Sequence, residues 1–83
     1  MMKEIPVPID RIYVPAGRRG TADPKTVSEL AEDILENGQQ VPISVREDRK
    51  KGYVLVAGLH RLEACKALGE KTITAIIAGA PQR

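Results

Sequence analysis

A glycine between an apolar run and an amphipathic segment constrains this chain more than any other feature. Residues 54–69 have the sequence VLVAGLHRLEACKALG. The apolar run Tyr53–Ala57 predicts a strand that is buried on both faces. Gly58 permits a tight turn, and a helix is predicted from Leu59 to Leu68, before a second glycine of the kind that commonly ends helices. The segment therefore predicts a strand that passes directly into a helix.

The start of this predicted helix has the features of an anion site. No Ser, Thr, Asp or Asn stands there, so the first backbone N–H groups need another acceptor. A strand followed by glycine and a helix is the geometry in which these groups point at a bound anion. His60 lies beside them, and helical spacing turns Arg61 towards the buried side of the helix. A phosphate or carboxylate would be bound there by charge-assisted hydrogen bonds.

The same residues also fit a purely structural interpretation. Arg61 could pair with Glu63 or with an acid on the first predicted helix of the chain, and His60 could be an exposed helix residue. Cys65 lies on the predicted buried stripe with Leu62 and Leu68, where a thiol is expected to be inert packing. Spacing alone leaves both interpretations open.

The remaining segments predict a small α+β (α/β) fold, with helices packed on a mixed sheet. Residues 1–13 alternate apolar and polar residues and contain prolines, which predicts one edge strand. Asp23 as N-cap, Pro24 at the first position and a helical apolar repeat predict a helix that ends at Asn37 and Gly38. The other predicted elements are a loop at 14–23, a strand at 41–46, a charged turn at 47–52, its hairpin partner at 53–57 and a last strand at 72–78.

Composition limits the classes of protein that fit. The 83 residues contain no repeat or linker and predict a single domain over 1–83. One cysteine and one histidine exclude a disulfide framework and a structural zinc site. No apolar run approaches the roughly 20 residues that span a bilayer, and the N-terminal segment is too polar for a signal peptide, which predicts a cytoplasmic protein without a membrane partner. A net charge of +2 does not by itself predict nucleic-acid binding.

Three charged clusters are further candidates. Arg18 and Arg19 lie in a glycine-containing loop of the kind that closes over phosphates. The first helix carries an acidic face, in which Glu36 is the one residue selected as a base or metal contact, although such faces are usually solvated. A basic cluster at the predicted turn is more consistent with a solvated turn than with a nucleic-acid contact. The acidic face consists of Glu29, Glu32, Asp33 and Glu36, and the basic cluster of Arg46, Arg49, Lys50 and Lys51.

These segments together resemble the ParB/sulfiredoxin superfamily. Residues 23–46, DPKTVSELAEDILENGQQVPISVR, resemble its first helix and the strand that follows, and residues 54–69 resemble its second strand and glycine-led box. ParB-type proteins usually carry Gly-Glu-Arg-Arg in the box and sulfiredoxins carry Gly-Cys-His-Arg. The sequence at 58–61, Gly-Leu-His-Arg, is a hybrid of the two.

The resemblance implies a nucleotide site. In this superfamily the box binds the phosphates of CTP in ParB, and of ATP in sulfiredoxin and in related free-serine kinases. The implied ligand is therefore ATP or CTP, with Mg²⁺ for a nucleoside triphosphatase or phosphotransferase activity; the metal ligands stay unassigned. The residues implied for nucleotide binding are Gly58, Leu59, His60 and Arg61 from the box and Arg18 and Arg19 from the loop.

The departures from the family pattern keep a second hypothesis open. Leu59 stands where sulfiredoxin needs its nucleophilic cysteine, which excludes that repair chemistry. The Glu-Asn segment, helix-turn-helix and dimerisation region of ParB-type proteins have no counterpart in these 83 residues. The alternative is therefore a non-catalytic, DNA-associated adaptor of the plasmid-partition type, or a nuclease-like DNA-binding domain, and the resemblance also permits a homodimer.

Overall fold

The computed structural model describes residues 3–39 and 41–79. Two short 3-10 turns, Ile9–Arg11 and Ala16–Arg18, separate the first elements. The strands and helices are β1 (Glu4–Pro8), β2 (Ile12–Tyr13), α1 (Pro24–Asn37), β3 (Ile43–Asp48), β4 (Gly52–Ala57), α2 (Leu59–Ala67) and β5 (Thr72–Ile77). This arrangement confirms the predicted α+β class.

The five strands form one mixed sheet in the order β1-β5-β3-β4-β2. β1 with β5 and β3 with β4 are antiparallel, whereas β3 with β5 and β2 with β4 are parallel. The predicted hairpin is present, with an irregularity in its register between Ser44 and Val45. The turn between β4 and α2 therefore follows a strand that is paired on both sides.

The prediction of one edge strand over residues 1–13 is wrong. β1 and β2 lie on opposite edges of the sheet and are separated by the Ile9–Arg11 turn. Ile9 and Ile12 are both buried, and their spacing of three does not fit the two-residue repeat of a strand. The chain therefore leaves β1 after Pro8, and the N–H of Ile9 donates to the Lys71 carbonyl at 2.9 Å. Met1 and Met2 lie outside the described residues.

The core lies between α2 and one face of the sheet, to which every second residue of each strand points. The expectation that Tyr53–Ala57 is buried on both faces is wrong in part, because Val56 is 41% exposed. Val56 points to the face opposite Leu55, whose side chain packs beneath α2. The buried cluster consists of Val7, Ile9, Ile12, Ile43, Val45, Leu55, Leu59, Leu62, Cys65, Ile73 and Ala75.

Helix α1 packs mainly against α2, and its Ile34 also packs against the core cluster. Its N-cap at Asp23, Pro24 at the first position and its end at Asn37 and Gly38 are as predicted. No residue of α1 is fully buried, and Leu35 is 74% exposed. The apolar stripe of this helix is therefore only partly covered by the described part of the chain.

The side chain of Gln39, four residues before β3, continues the hydrogen bonding of the sheet alongside β5. Its amide donates to the Thr74 carbonyl at 2.9 Å and accepts from the Thr74 N–H at 2.8 Å. The same amide donates to the Val41 carbonyl at 3.0 Å. A carboxamide has the donor and acceptor of a peptide group, so Gln39 takes the place of a strand residue beside β5.

Candidate functional site

The turn from β4 into α2 is built around Gly58. Its φ of 107° and ψ of 31° place it in the left-handed region, which side chains disfavour. A Cβ at this position would lie 2.6 Å from the Cγ2 atom of Ile43 in β3. Glycine is therefore required here both by the backbone conformation and by the close approach of the core.

The first N–H groups of α2 have no side-chain cap. Gly58 is the N-cap residue and provides no side-chain acceptor. The helical bonding begins with the Leu62 N–H, which donates to the Gly58 carbonyl at 2.9 Å. The N–H groups of Leu59, His60 and Arg61 precede this bond and have no acceptor within the helix. Together with the helix dipole, they make this end of α2 electropositive.

Arg61 adds a full positive charge to this end of α2. It is half-buried, and within residues 3–39 and 41–79 its guanidinium forms no hydrogen bond or ion pair. Glu63, the partner considered from sequence, pairs with Lys66 at 3.6 Å. A cation at the positive end of a helix is unfavourable without a neighbouring anion.

The buried thiol of Cys65 lies one helical turn after Arg61. Burial raises the pKa of the Cys65 thiol, and the negative charge of Glu70 raises it further. The positive charge of Arg61 opposes both effects and lowers this pKa. Arg61 stands four positions before the buried Cys65 and therefore lies on the same face of α2, and the buried thiol is unreactive.

His60 connects the starts of the two helices. Its Nε2 atom accepts a hydrogen bond from the backbone N–H of Asp23 at 3.1 Å. An accepting Nε2 places the proton of a neutral imidazole on Nδ1. Asp23 in turn caps α1, because its Oδ2 accepts from the Thr26 hydroxyl at 2.7 Å and from the Thr26 N–H at 3.3 Å. His60 is therefore attached to α1 rather than being a free surface residue.

The cap of α1 gives the stability a defined pH dependence. The hydroxyl and then the N–H of Thr26 lower the pKa of the Asp23 carboxyl from its ordinary 3.8, with a smaller contribution from His60. A carboxyl with a lowered folded-state pKa stabilises the fold above its unfolded-state pKa, and this contribution disappears as the pH falls through the folded-state value. We expect the melting-temperature difference between wild type and Asp23→Ala to be constant at neutral pH and to shrink below 3.8. Thermal unfolding followed by circular dichroism measures it, and a difference that persists at pH 2 would contradict the role of the charge.

The two loop arginines take different positions. The Nη1 atom of Arg18 donates to the Val56 carbonyl at 2.6 Å, two residues before Gly58. The Nε atom of Arg19 donates to the Val14 carbonyl at 2.8 Å, and its guanidinium lies 4.8 Å from the centre of the Tyr13 ring. The structure thus brings Arg18 to the end of β4 and holds Arg19 against Tyr13.

Glu36 is not brought to the start of α2. It is exposed in the last turn of α1, roughly 20 Å along the helix axis from Asp23, which is the residue that contacts His60. In the described part of the chain, no three His, Cys, Asp or Glu side chains are grouped so that they could bind a metal ion. The role of Glu36 as a base or metal contact stays a prediction, and this placement gives it no support.

Sequence reasoning selected His60 as a phosphate contact but did not find its bond to Asp23. The two residues are 37 positions apart, and no local pattern links them.

Within the described part of the chain, neither α1 nor α2 is long and apolar enough to cross a membrane.

Comparisons with known proteins give consistent matches. The model of the ParB N-terminal domain family matches residues 2–83. The probable chromosome-partitioning protein ParB of Campylobacter jejuni is 42% identical over 73 residues, which are 87% of this chain and 26% of that protein. The chain thus spans about a quarter of the length of this curated relative.

Solved structures show the same fold. Sulfiredoxin from Arabidopsis thaliana superimposes with a TM-score of 0.81 at 36% identity, over 90% of this chain and 83% of that one. ParB from Caulobacter crescentus, solved with CTP-γ-S, gives a TM-score of 0.79 at 25% identity, over 96% of this chain and 46% of that one. The same Caulobacter protein, solved with the centromeric parS site, gives a TM-score of 0.78 at 26% identity, over 94% and 42%.

Proposed function

Because the chain belongs to the ParB N-terminal domain family, we propose that it is a partition-type domain that binds the phosphates of CTP or ATP at the start of α2. The observation that carries this proposal is the half-buried Arg61 beside the uncapped N–H groups of α2. Both are positive, and neither has an acidic partner in the described ranges. A bound phosphate would satisfy both at once.

Four residues are proposed to contact the phosphates. The N–H groups of Leu59 and His60 would donate along the helix axis, as at other helix starts that bind phosphate. Arg61 would contribute a charge-assisted hydrogen bond from the core side, and Arg18 would approach from the end of β4, where it is already hydrogen-bonded. His60 keeps its Nδ1–H as a donor while Nε2 remains bonded to Asp23. Arg19 is left out of this set because it lies on Tyr13.

The choice of nucleotide rests on the relatives. The Caulobacter ParB structure contains CTP-γ-S, which makes CTP the first nucleotide to test, and the sulfiredoxin resemblance makes ATP the second. Among residues 3–39 and 41–79, no group of three carboxylate or histidine side chains lies close enough together to bind a metal ion. The proposal is therefore nucleotide binding, and it includes no catalytic step.

Thermal unfolding with added nucleotide tests this function. A ligand that binds only the folded state at 100 times its Kd stabilises it by about 2.7 kcal/mol. For a chain of this size, each kcal/mol raises the melting temperature by about 4–8 °C. We expect CTP or ATP at 100 times its Kd to raise the melting temperature by roughly 10–20 °C, measured with and without Mg²⁺ and compared with GTP. If no nucleotide changes the melting temperature, the proposed function is wrong.

A further inference from the structure

Strand β1 forms one outer edge of the sheet. Among the described residues it pairs with β5 and is the last strand of the order β1-β5-β3-β4-β2. The strand at the opposite edge, β2, has only two residues, a length that makes an edge unsuitable for further pairing. An exposed strand edge is a template for pairing with a second chain. The outer edge of β1 therefore decides whether copies of this chain can join their sheets.

The pairing of β1 with β5 fixes which backbone groups point outward. The Ile9 N–H donates to the Lys71 carbonyl at 2.9 Å, and this bond continues the register in which Val7 lies opposite Ile73. In an antiparallel pair the backbone groups of successive residues point alternately towards the partner strand and away from it. The even-numbered residues of β1 therefore point their backbone groups away from the sheet.

Two of these three outward positions are prolines. The positions are Glu4, Pro6 and Pro8, and all three side chains are exposed. Proline has no backbone N–H, so the edge offers outward carbonyl acceptors but only one outward donor, at Glu4. The proline ring also stands where the N–H would point. A strand added to this edge would therefore lose hydrogen bonds of its ladder and would meet the two rings.

Neither proline disturbs the inner side of β1. The pairing with β5 needs no N–H from Pro6 or Pro8, because their backbone groups point the other way. Val7 lies between them and is fully buried in the core. The strand thus keeps its place in the sheet while its outer edge lacks donors.

From this arrangement we infer that Pro6 and Pro8 close β1 to strand addition, so that copies of this chain do not associate edge to edge through their sheets. A homodimer, which the family resemblance permits, uses another surface. Neither proline is among the residues proposed to contact phosphate. The closed edge and the nucleotide site can therefore fail independently.

Sedimentation equilibrium over a series of protein concentrations tests the closed edge. The edge variant combines Pro6→Thr and Pro8→Thr, which restore two outward N–H groups on residues that strands favour. The matched control combines Pro15→Thr and Pro42→Thr, which lie outside the strands and give the same composition. We expect wild type and control to have the same mass at every concentration. The mass of the edge variant should rise with concentration towards twice the wild-type value.

Hydrogen exchange followed by NMR locates the association. The amide hydrogens introduced at positions 6 and 8 point outward, so they should exchange freely at low concentration and become protected as the mass rises. Pro6→Thr and Pro8→Thr each restore one N–H when made singly and should show a smaller rise in mass, so the test does not depend on the double variant folding. The replaced rings are exposed, and the core contacts of Val7 remain.

Three outcomes would overturn the inference. These are an edge variant whose mass follows that of wild type, a control that associates as strongly as the edge variant, or introduced amides that stay unprotected in the associated state. The first would show that the missing N–H groups do not limit association. The second and third would show that association, where it occurs, does not use the edge of β1.

Discussion

Replacing Gly58 with alanine is expected to destabilise the fold by about 3 kcal/mol or more. The left-handed conformation of this residue, with φ of 107°, costs a side chain roughly 1–2 kcal/mol. The added Cβ would also lie 2.6 Å from Cγ2 and 2.9 Å from Cβ of Ile43, and overpacking of this kind costs about 1–3 kcal/mol. Ile43 is only 1% exposed and belongs to the buried core cluster, so it cannot turn aside into solvent.

Gly69→Ala is the matched control for this prediction. Gly69 also has a positive φ, of 76°, but a Cβ there would meet nothing within 4 Å. It should therefore show the conformational cost of about 1–2 kcal/mol without the collision. Urea unfolding of both variants gives the comparison. Equal destabilisation of the two would show that the contact with Ile43 carries no cost.

The role of Gly58 in the fold affects how the phosphate site can be tested. A Gly58 variant that lost nucleotide binding could have lost it through a shift of β3 against α2, since Ile43 lies directly beside the turn. Variants of exposed or half-buried side chains at the site avoid this difficulty. Arg61 is the most suitable of them, because its side chain forms no hydrogen bond or ion pair with the described residues.

The two helices and the turn before α2 could be predicted from sequence because their signals are local. Asp23 and Pro24 begin α1 for reasons contained within one helical turn. Gly69 ends α2 with the N–H of Glu70 bonded to the Cys65 carbonyl at 3.0 Å, an arrangement set by a few neighbouring residues. The resemblance to the ParB/sulfiredoxin superfamily was based on the same segments.

The parts that sequence did not predict depend on contacts between distant segments. The separation of β1 and β2 to opposite edges is decided by which strands they pair with. Gln39 bonds to Thr74 across 35 positions, and the different partners of Arg18 and Arg19 are Val56 and Val14. A repeat of apolar residues contains no information about such partners, because it records only which face of an element is buried.

Arg61→Ala is expected to weaken nucleotide binding by at least about tenfold with little change in folding stability. A charge-assisted hydrogen bond contributes about 1.5–3 kcal/mol, and 1.4 kcal/mol is a factor of about ten in Kd. Stability should be nearly unchanged because the guanidinium has no partner among the described residues. Arg49→Ala, which removes the same charge at the exposed β3–β4 turn, is the matched control and should bind nucleotide like wild type.

Isothermal titration calorimetry of wild type, Arg61→Ala and Arg49→Ala with CTP and with ATP tests the central claim most directly. The phosphate site at α2 predicts one site per chain in wild type and in Arg49→Ala, and at least about tenfold weaker binding in Arg61→Ala. Equal affinity in all three proteins, or a loss of affinity in Arg49→Ala alone, would contradict the placement of the nucleotide at the start of α2.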